Sequence, residues 1–127
     1  MKTTSLRIAH IDDDADLRSL VRLVLSLEGA CSIVSCESGE VAQQLVPGFF
    51  PDVLLVDMSM PPGMDGVATV EALRERMDLS DVSIIFASAT EDPDHLRRFK
   101  QAGAAGFIQK PFDALELAAQ ISRLHES

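Results

Sequence analysis

Aromatic residues are scarce in this sequence, and long apolar runs are absent. The 127 residues include no tryptophan and no tyrosine. No apolar run approaches the roughly 20 residues that a membrane-spanning helix needs, and the N-terminal segment lacks the apolar core of a signal peptide. We therefore expect a cytoplasmic protein without a membrane segment. Internal repeats and Gly/Ser linkers are also missing, so the length predicts a single domain over residues 1–127, with no second domain attached.

Positive charge is in short supply. The 11 Lys and Arg residues face 20 Asp and Glu residues, which gives a net charge of -9. Binding to DNA or RNA requires a strongly basic face. The one local concentration of positive charge, Arg97, Arg98 and Lys100, is typical of a solvated helix face. We expect no nucleic-acid partner.

Cysteine is limited to Cys31 and Cys36. Both lie in one short apolar stretch, where an extended strand would hold them too far apart for a disulfide. We predict that both are reduced. The remaining composition, 46% hydrophobic and 24% charged residues, is that of a globular domain rather than a disordered chain.

The chain alternates short apolar runs with helical patterns. Five runs predict strands, at residues 6–12, 31–36, 52–57, 82–88 and 105–110. Apolar residues spaced at i, i+3, i+4 and i+7 predict the helices that follow them. The stripe of the first helix consists of Leu17, Leu20, Val21, Val24 and Leu27. Pro47 and Gly48 predict the end of the second helix. Asp92 and Pro93 predict the start of the fourth, and Asp113 the cap of the fifth.

Five strands that alternate with five helices predict an α/β fold with a parallel sheet and helices on both faces. In such open sheets, ligands bind beyond the carboxyl ends of the strands. A polar residue lies at or just after the end of several predicted strands. These polar residues form the candidate site. These residues are Asp12, Asp13, Asp57, Ser88 and Lys110.

Three carboxylates that converge at one sheet edge repel each other unless a cation lies among them. Mg²⁺ suits such a cluster, because it binds one or two carboxylates, keeps several waters and accepts a phosphate oxygen. A carboxylate can also attack a phosphoryl group to form an aspartyl phosphate. Catalysis then depends on positioning and charge neutralisation, for which Mg²⁺, Lys110 and Ser88 are suitable.

Four segments carry a resemblance to a known family: HIDDDADLR, LLVDMSMPPGMDG, IIFASAT and AGAAGFIQKPF. In this order and at these spacings they resemble the receiver domain of two-component response regulators, in its chemotaxis-protein-like single-domain form. The resemblance covers about residues 6–124. It implies a flavodoxin-like, doubly wound, five-stranded parallel sheet with strand order 2-1-3-4-5, five helices and no output domain.

The resemblance assigns roles to the residues at the strand ends. Asp57 would be the phosphoacceptor. Asp13 would bind Mg²⁺ (or Mn²⁺) directly and Asp12 through water, and Asp57 and the backbone carbonyl of Ser59 would complete the protein ligands. Lys110 would bind the phosphoryl group.

The resemblance also implies a conformational switch and its partners. A histidine kinase or histidine phosphotransfer protein would donate the phosphoryl group, Ser88 would move toward it, and Phe107 would rotate inward. Partners would then recognise the surface of the fourth helix, fifth strand and fifth helix, with the protein a monomer or a phosphorylation-dependent dimer. The bond between Lys110 and Pro111 is expected to be cis. The protein would be a signalling domain that catalyses only its own phosphotransfer and dephosphorylation, and not an enzyme with an external substrate.

Some residues depart from the family pattern or stand outside it. Pro62 and Gly63 precede the MDG tripeptide, where the commonest form of the family has one residue. Phe107 replaces the common tyrosine. Asp14, a third consecutive acid, is interpreted as a helix N-cap. The three histidines are interpreted as structural or solvated, because in this family the phosphoryl donor histidine belongs to the kinase; they are His10, His95 and His125.

Two alternative functions stay open at this point. One is an Mg²⁺-dependent phosphatase with an aspartyl nucleophile, but such enzymes usually carry a second Asp two residues later, where this chain has Ser59. The other is a pseudo-receiver scaffold that works through protein contacts without phosphorylation. The acid pair together with Asp57, Ser88 and Lys110 argues against this scaffold without excluding it.

Overall fold

The computed structural model describes residues 6–27, 31–60, 63–89 and 92–126. The elements are β1 Leu6–Ile11, α1 Ala15–Ser26, β2 Cys31–Cys36, α2 Gly39–Phe49, β3 Val53–Asp57, α3 Gly66–Arg74, β4 Ser83–Ser88, α4 Pro93–Gln101, β5 Gly106–Gln109, the 3-10 turn Ala114–Glu116 and α5 Leu117–Glu126. The five strands pair in parallel in the order β2-β1-β3-β4-β5. The predicted fold class and strand order are therefore confirmed.

Helices cover the two faces of this sheet, and each face has its own apolar core. On one face, α2, α3 and α4 contribute residues such as Val46, Val70 and Phe99. On the other face, α1 and α5 contribute Leu25 and Ile121. All residues of the central strand β3 are buried, as its uninterrupted apolar run predicts for a strand covered on both sides.

The second helix does not end where the sequence predicts. Pro47 lies inside α2, which continues to Phe49. A proline in the last turn removes one backbone hydrogen bond, but long-range contacts hold the turn in place. The Arg7 side chain donates a hydrogen bond of 2.9 Å from Nε to the Phe49 carbonyl oxygen, and its guanidinium lies 4.3 Å from the centre of the Phe49 ring. Tertiary structure thus overrides the local stop.

The buried face of α1 also differs from the predicted stripe. Val21 and Val24 are buried as expected, together with Leu25, whereas Leu20 is 43% and Leu27 is 72% exposed. The helix is apolar on most of its circumference, so spacing alone does not select the buried side.

The predicted cap of the fifth helix also differs. Asp113 does not cap α5 directly, because the 3-10 turn intervenes and the Asp113 carboxylate accepts the Leu115 N–H.

Two further expectations concern the cysteines and membrane segments. Cys31 and Cys36 are the two ends of β2. They are not bonded to each other, since five residue steps of a strand span about 16 Å. Burial raises the pKa of the Cys36 thiol to about 11. Within the described ranges, no helix combines the length and the apolar character that crossing a bilayer would require.

Candidate functional site

The carboxyl ends of β1, β3 and β5 bring together three charged side chains. Asp12 directly follows β1, Asp57 is the last residue of β3, and Lys110 directly follows β5. The Lys110 Nζ atom lies 3.0 Å from Asp12 Oδ2 and 3.2 Å from Asp57 Oδ1. One ammonium therefore bridges two carboxylates that are far apart in sequence.

Asp12 is held rigidly at this position. It is fully buried, its Oδ1 accepts the Asp14 N–H at 2.9 Å, and its backbone carbonyl accepts a 2.7 Å hydrogen bond from Arg18 Nη1. The His10 ring is buried beside it, with Nε2 3.7 Å from Asp12 Oδ2. Burial alone would raise the pKa of Asp12. The His10 ring, the Asp14 N–H and the Lys110 ammonium outweigh burial and lower this pKa to about 2.

The pKa values of Asp57 and Lys110 are both raised. A raised pKa disfavours the charged form of the Asp57 carboxyl group and favours the charged form of the Lys110 amine. Burial raises the pKa of the Asp57 carboxyl, and the negative charge of Asp12 raises it further, with only partial compensation from Lys110. Burial alone would lower the pKa of Lys110, but the two carboxylates raise it above its usual value. The lysine therefore stays charged, while the Asp57 charge lacks full compensation in this arrangement.

Three carboxylates that could hold a metal ion lie at this edge of the sheet. Asp12, Asp13 and Asp57 each offer a carboxylate oxygen, and these atoms lie within 4.8 Å of one another. Asp13 is exposed, whereas Asp12 and Asp57 are buried. An all-oxygen donor set with one open side fits a hard divalent cation such as Mg²⁺. A cation there would supply the charge compensation that Asp57 lacks.

A pocket of about 340 Å³ opens above Asp57. Its polar lining comes from Asp57, Ser59, Ser88, His95 and Lys110. The Ser59 N–H approaches Asp57 Oδ1 at 3.4 Å, and the Lys110 N–H donates to the Ser88 carbonyl at 2.7 Å. The pocket places cationic and hydrogen-bonding groups around one carboxylate, and this arrangement suits a phosphoryl group bound to that carboxylate.

The predicted switch residues Ser88 and Phe107 lie on neighbouring strands. Ser88 ends β4 and is buried, and Phe107 in β5 is partly buried. The Phe107 ring centre lies 6.2 Å from that of Phe99 in α4, and Phe99 stacks on Phe86 at 4.6 Å. The peptide bond between Lys110 and Pro111 is cis.

Sequence reasoning missed the role of two residues near the acids. His10 is predicted to be structural or solvated, and it is buried; the prediction does not include its contact with Asp12. The period of two along a strand could have found it, because residues 10 and 12 point to the same face. Arg18 has no such local signal, since its hydrogen bond to the Asp12 carbonyl depends on how α1 folds back over the site. His125, by contrast, is structural, with Nδ1 2.8 Å from Ser83 Oγ. The structure does not describe residues 61 and 62, so the departure from the family pattern at Pro62 lies outside the described residues.

Comparison with known proteins agrees with this geometry. A family model described as "Response regulator receiver domain" matches residues 8–122. The chain is 33% identical over 110 residues to the transcriptional regulatory protein DegU of Brevibacillus brevis, and this match covers 86% of the chain and 45% of DegU. It is 35% identical over 121 residues to the DNA-binding response regulator MtrA of Mycobacterium tuberculosis, covering 95% of the chain and 51% of MtrA. The chain thus spans about half the length of these curated relatives.

Solved structures share the fold. The signal receiver domain of NarL from Mycobacterium tuberculosis is 29% identical, with a TM-score of 0.84 and coverage of 98% of this chain and 99% of that one. The chemotaxis protein CheY4 of Vibrio cholerae has a TM-score of 0.87 at 23% identity, covers 95% of this chain and 99% of its own, and supports the fold alone. Together with the family match over residues 8–122, these findings show that the chain belongs to the receiver domain family of two-component response regulators.

Proposed function

We propose that this receiver domain accepts a phosphoryl group on Asp57 in an Mg²⁺-dependent reaction and thereby switches a protein-interaction surface. The observation that carries the proposal is the Lys110 bridge, with Nζ 3.0 Å from Asp12 and 3.2 Å from Asp57. An ammonium beside a buried carboxylate is placed to pair with the oxygens of a phosphoryl group that is transferred to that carboxylate.

In the proposed reaction, an Asp57 carboxylate oxygen forms a bond to phosphorus. The bond between phosphorus and the leaving group breaks; the leaving group is the imidazole of a phosphohistidine, or acetate when acetyl phosphate is the donor. Lys110 pairs with the phosphoryl oxygens as their negative charge grows. The metal ion would be held by Asp12, Asp13, Asp57 and the Ser59 carbonyl. Its positive charge would neutralise part of the negative charge on the phosphoryl oxygens. Later attack by water would return Asp57 and inorganic phosphate.

The proposed partners follow from family membership. Response regulators receive phosphoryl groups from histidine kinases or phosphotransfer proteins, so we propose such a donor for this chain. We propose that residues 6–124 act as one receiver unit. Its output surface would be formed by α4, β5 and α5, with Ser88 and Phe107 responding to the phosphoryl group. Relatives such as MtrA are DNA-binding regulators, whereas the net charge of this chain, -9, disfavours contact with the DNA backbone.

Intact-mass measurement after incubation with acetyl phosphate tests the proposal. Wild type, Asp57→Asn and Asp81→Asn would each be incubated with and without Mg²⁺. Asp81 is a matched control, because it is an exposed acid just before β4, at the opposite end of the sheet. We expect one phosphoryl adduct in wild type and Asp81→Asn, only with Mg²⁺, and none in Asp57→Asn.

The other outcomes separate the alternatives. An adduct of equal yield in Asp57→Asn would contradict the assignment of the acceptor. No adduct in wild type, together with no transfer from phosphorylated histidine kinases, would favour the scaffold that works without phosphorylation. Steady hydrolysis of an external phosphomonoester would instead favour the aspartyl phosphatase, although Ser59 stands where that class usually has its second acid.

A further inference from the structure

His95 is a polar side chain of the Asp57 pocket that has no part in the reaction proposed above. It lies in the first turn of α4 and lines the pocket together with Asp57, Ser59, Ser88 and Lys110. Its ring is half-buried, and its centre lies 6.4 Å from that of Phe99. The ring therefore connects the pocket with the aromatic packing beneath α4.

The hydrogen bonding of this ring is incomplete. The Nδ1 atom is enclosed and has no hydrogen-bond partner among the residues that the structure describes. An enclosed N–H without an acceptor is less readily tolerated than an unpaired acceptor. The neutral ring should therefore carry its proton on Nε2 and leave Nδ1 bare. In this tautomer Nε2–H is the hydrogen-bond donor of the ring, and the ring belongs to a residue that lines the pocket.

A phosphoryl group on Asp57 would require such donors. It brings additional negative charge and three acceptor oxygens into a pocket where the Lys110 ammonium, the one cation among its described lining residues, is already shared between Asp12 and Asp57. An additional neutral donor on the α4 side would complement the ammonium on the β5 side.

We propose that His95 is a further ligand of the phosphoryl group, donating a hydrogen bond from Nε2 to a phosphoryl oxygen. The inference rests on the proposed phosphorylation of Asp57. The bond would also attach the first turn of α4 to the phosphoryl group. The ring that contacts Phe99 would then be fixed by the occupied site.

The test must separate hydrogen bonding from packing, because the ring also contacts Phe99. Two substitutions do so: His95→Phe keeps an aromatic ring and removes the donor, and His95→Gln keeps a donor and removes the ring. Affinity for beryllofluoride in the presence of Mg²⁺ would be measured by calorimetry, since this complex mimics a phosphoryl group on a carboxylate. We expect His95→Phe to weaken binding about tenfold, as for the loss of a hydrogen bond to a charged group, and His95→Gln to weaken it less than about threefold.

An independent readout uses the wild-type protein. The ¹⁵N resonance of His95 Nε2 is expected to shift when beryllofluoride saturates the site. Binding of His95→Phe with wild-type affinity, or an unchanged ¹⁵N resonance in wild type, would overturn the inference. Weaker binding by His95→Gln than by His95→Phe would also overturn it and assign the ring to packing.

The Asp57→Asn variant distinguishes a failure of the proposed phosphorylation from a failure of the proposed role of His95. Wild type that binds no beryllofluoride would contradict the proposed function, and the His95 inference with it. Wild type that binds, Asp57→Asn that does not, and His95→Phe that binds like wild type would contradict the role of His95 alone. Thermal unfolding of each variant without ligand checks that the fold is retained.

Discussion

Gly66 packs directly against the backbone of Asp57. A Cβ atom at position 66 would lie 2.6 Å from the Asp57 carbonyl oxygen, closer than any ordinary contact. The Gly66 N–H donates to the Met58 carbonyl at 2.9 Å, and Asp65 caps α3 by accepting the Ala68 N–H at 2.8 Å. The first residue of α3 thus packs closely against the end of β3, which carries the proposed phosphoacceptor.

The first prediction follows from this contact. Gly66→Ala should lower the free energy of unfolding by about 2 kcal/mol, because the atoms in the way belong to the backbone and cannot move aside cheaply. Gly48→Ala is the matched control, since a Cβ there meets nothing within 4 Å. Alanine inside α2 should be neutral or stabilising by up to about 1 kcal/mol. Urea unfolding followed by circular dichroism measures both, and equal effects would contradict the close packing.

The second prediction concerns the charge of Asp57. Its raised pKa means that carrying the negative charge at neutral pH opposes folding. Asp57→Asn should therefore stabilise the metal-free protein, by about 1 kcal/mol and a few degrees in melting temperature. Adding Mg²⁺ should raise the melting temperature of wild type more than that of Asp57→Asn. A lower melting temperature for Asp57→Asn without Mg²⁺ would show that the Lys110 contact outweighs the repulsion from Asp12.

The third prediction concerns Lys110 and pH. Lys110→Met leaves the buried Asp12 and Asp57 without their shared cation and should lower stability at neutral pH by about 3 kcal/mol. In wild type, the pKa of Asp12 falls from 3.8 to about 2. Its stabilising contribution is therefore complete above the ordinary pKa and is lost as the pH falls toward about 2.

Lys110→Met removes part of the stability that the ionised Asp12 carboxylate contributes above its pKa. The stability difference between wild type and Lys110→Met should thus shrink as the pH is lowered from about 5 to about 2. Chemical denaturation across this range measures it. The exposed Lys100 provides the control, because Lys100→Met should change stability little at any of these pH values. A difference that stays constant with pH would contradict the proposed electrostatic origin.

The sequence was sufficient to predict the sheet and most of the candidate site, for a simple geometric reason. Strands of a parallel sheet end at one edge, so polar residues that follow apolar runs must meet there. Asp12, Asp57 and Lys110 meet this condition, and the structure places Lys110 Nζ 3.0 Å from a carboxylate oxygen of Asp12 and 3.2 Å from one of Asp57. Such convergence depends only on the periodicity and the order of the elements.

The features that were missed depend on contacts between distant segments. The second helix runs past Pro47 because Arg7, which is 42 residues from Phe49, holds the last turn. The buried side of α1 could not be selected because Leu23 and Leu25 are also apolar, and only packing leaves Leu23 57% exposed while Leu25 is buried. Local spacing cannot contain this information.

The fourth prediction separates capping from metal binding in the run of three acids. Asp14 Oδ1 accepts the Asp16 N–H at 3.0 Å and the Leu17 N–H at 3.2 Å, so its carboxylate is occupied by the start of α1. Asp14→Ala should lower the free energy of unfolding by about 1 kcal/mol, whereas Asp14→Asn, which can still cap, should change it little. Thermal or urea unfolding of the two variants measures this difference.

Mg²⁺ titration of Asp13→Asn and Asp14→Asn tests the metal-binding half of this prediction. Asp13 contributes an oxygen to the cluster with Asp12 and Asp57, and Asp14 does not belong to that cluster. Asp13→Asn should therefore weaken Mg²⁺ binding, by about tenfold for the loss of a charged ligand. Asp14→Asn should bind Mg²⁺ like wild type, because its carboxylate serves the helix. Equal weakening of Mg²⁺ binding in both variants would instead identify Asp14 as a metal ligand, in addition to its hydrogen bonds at the start of α1.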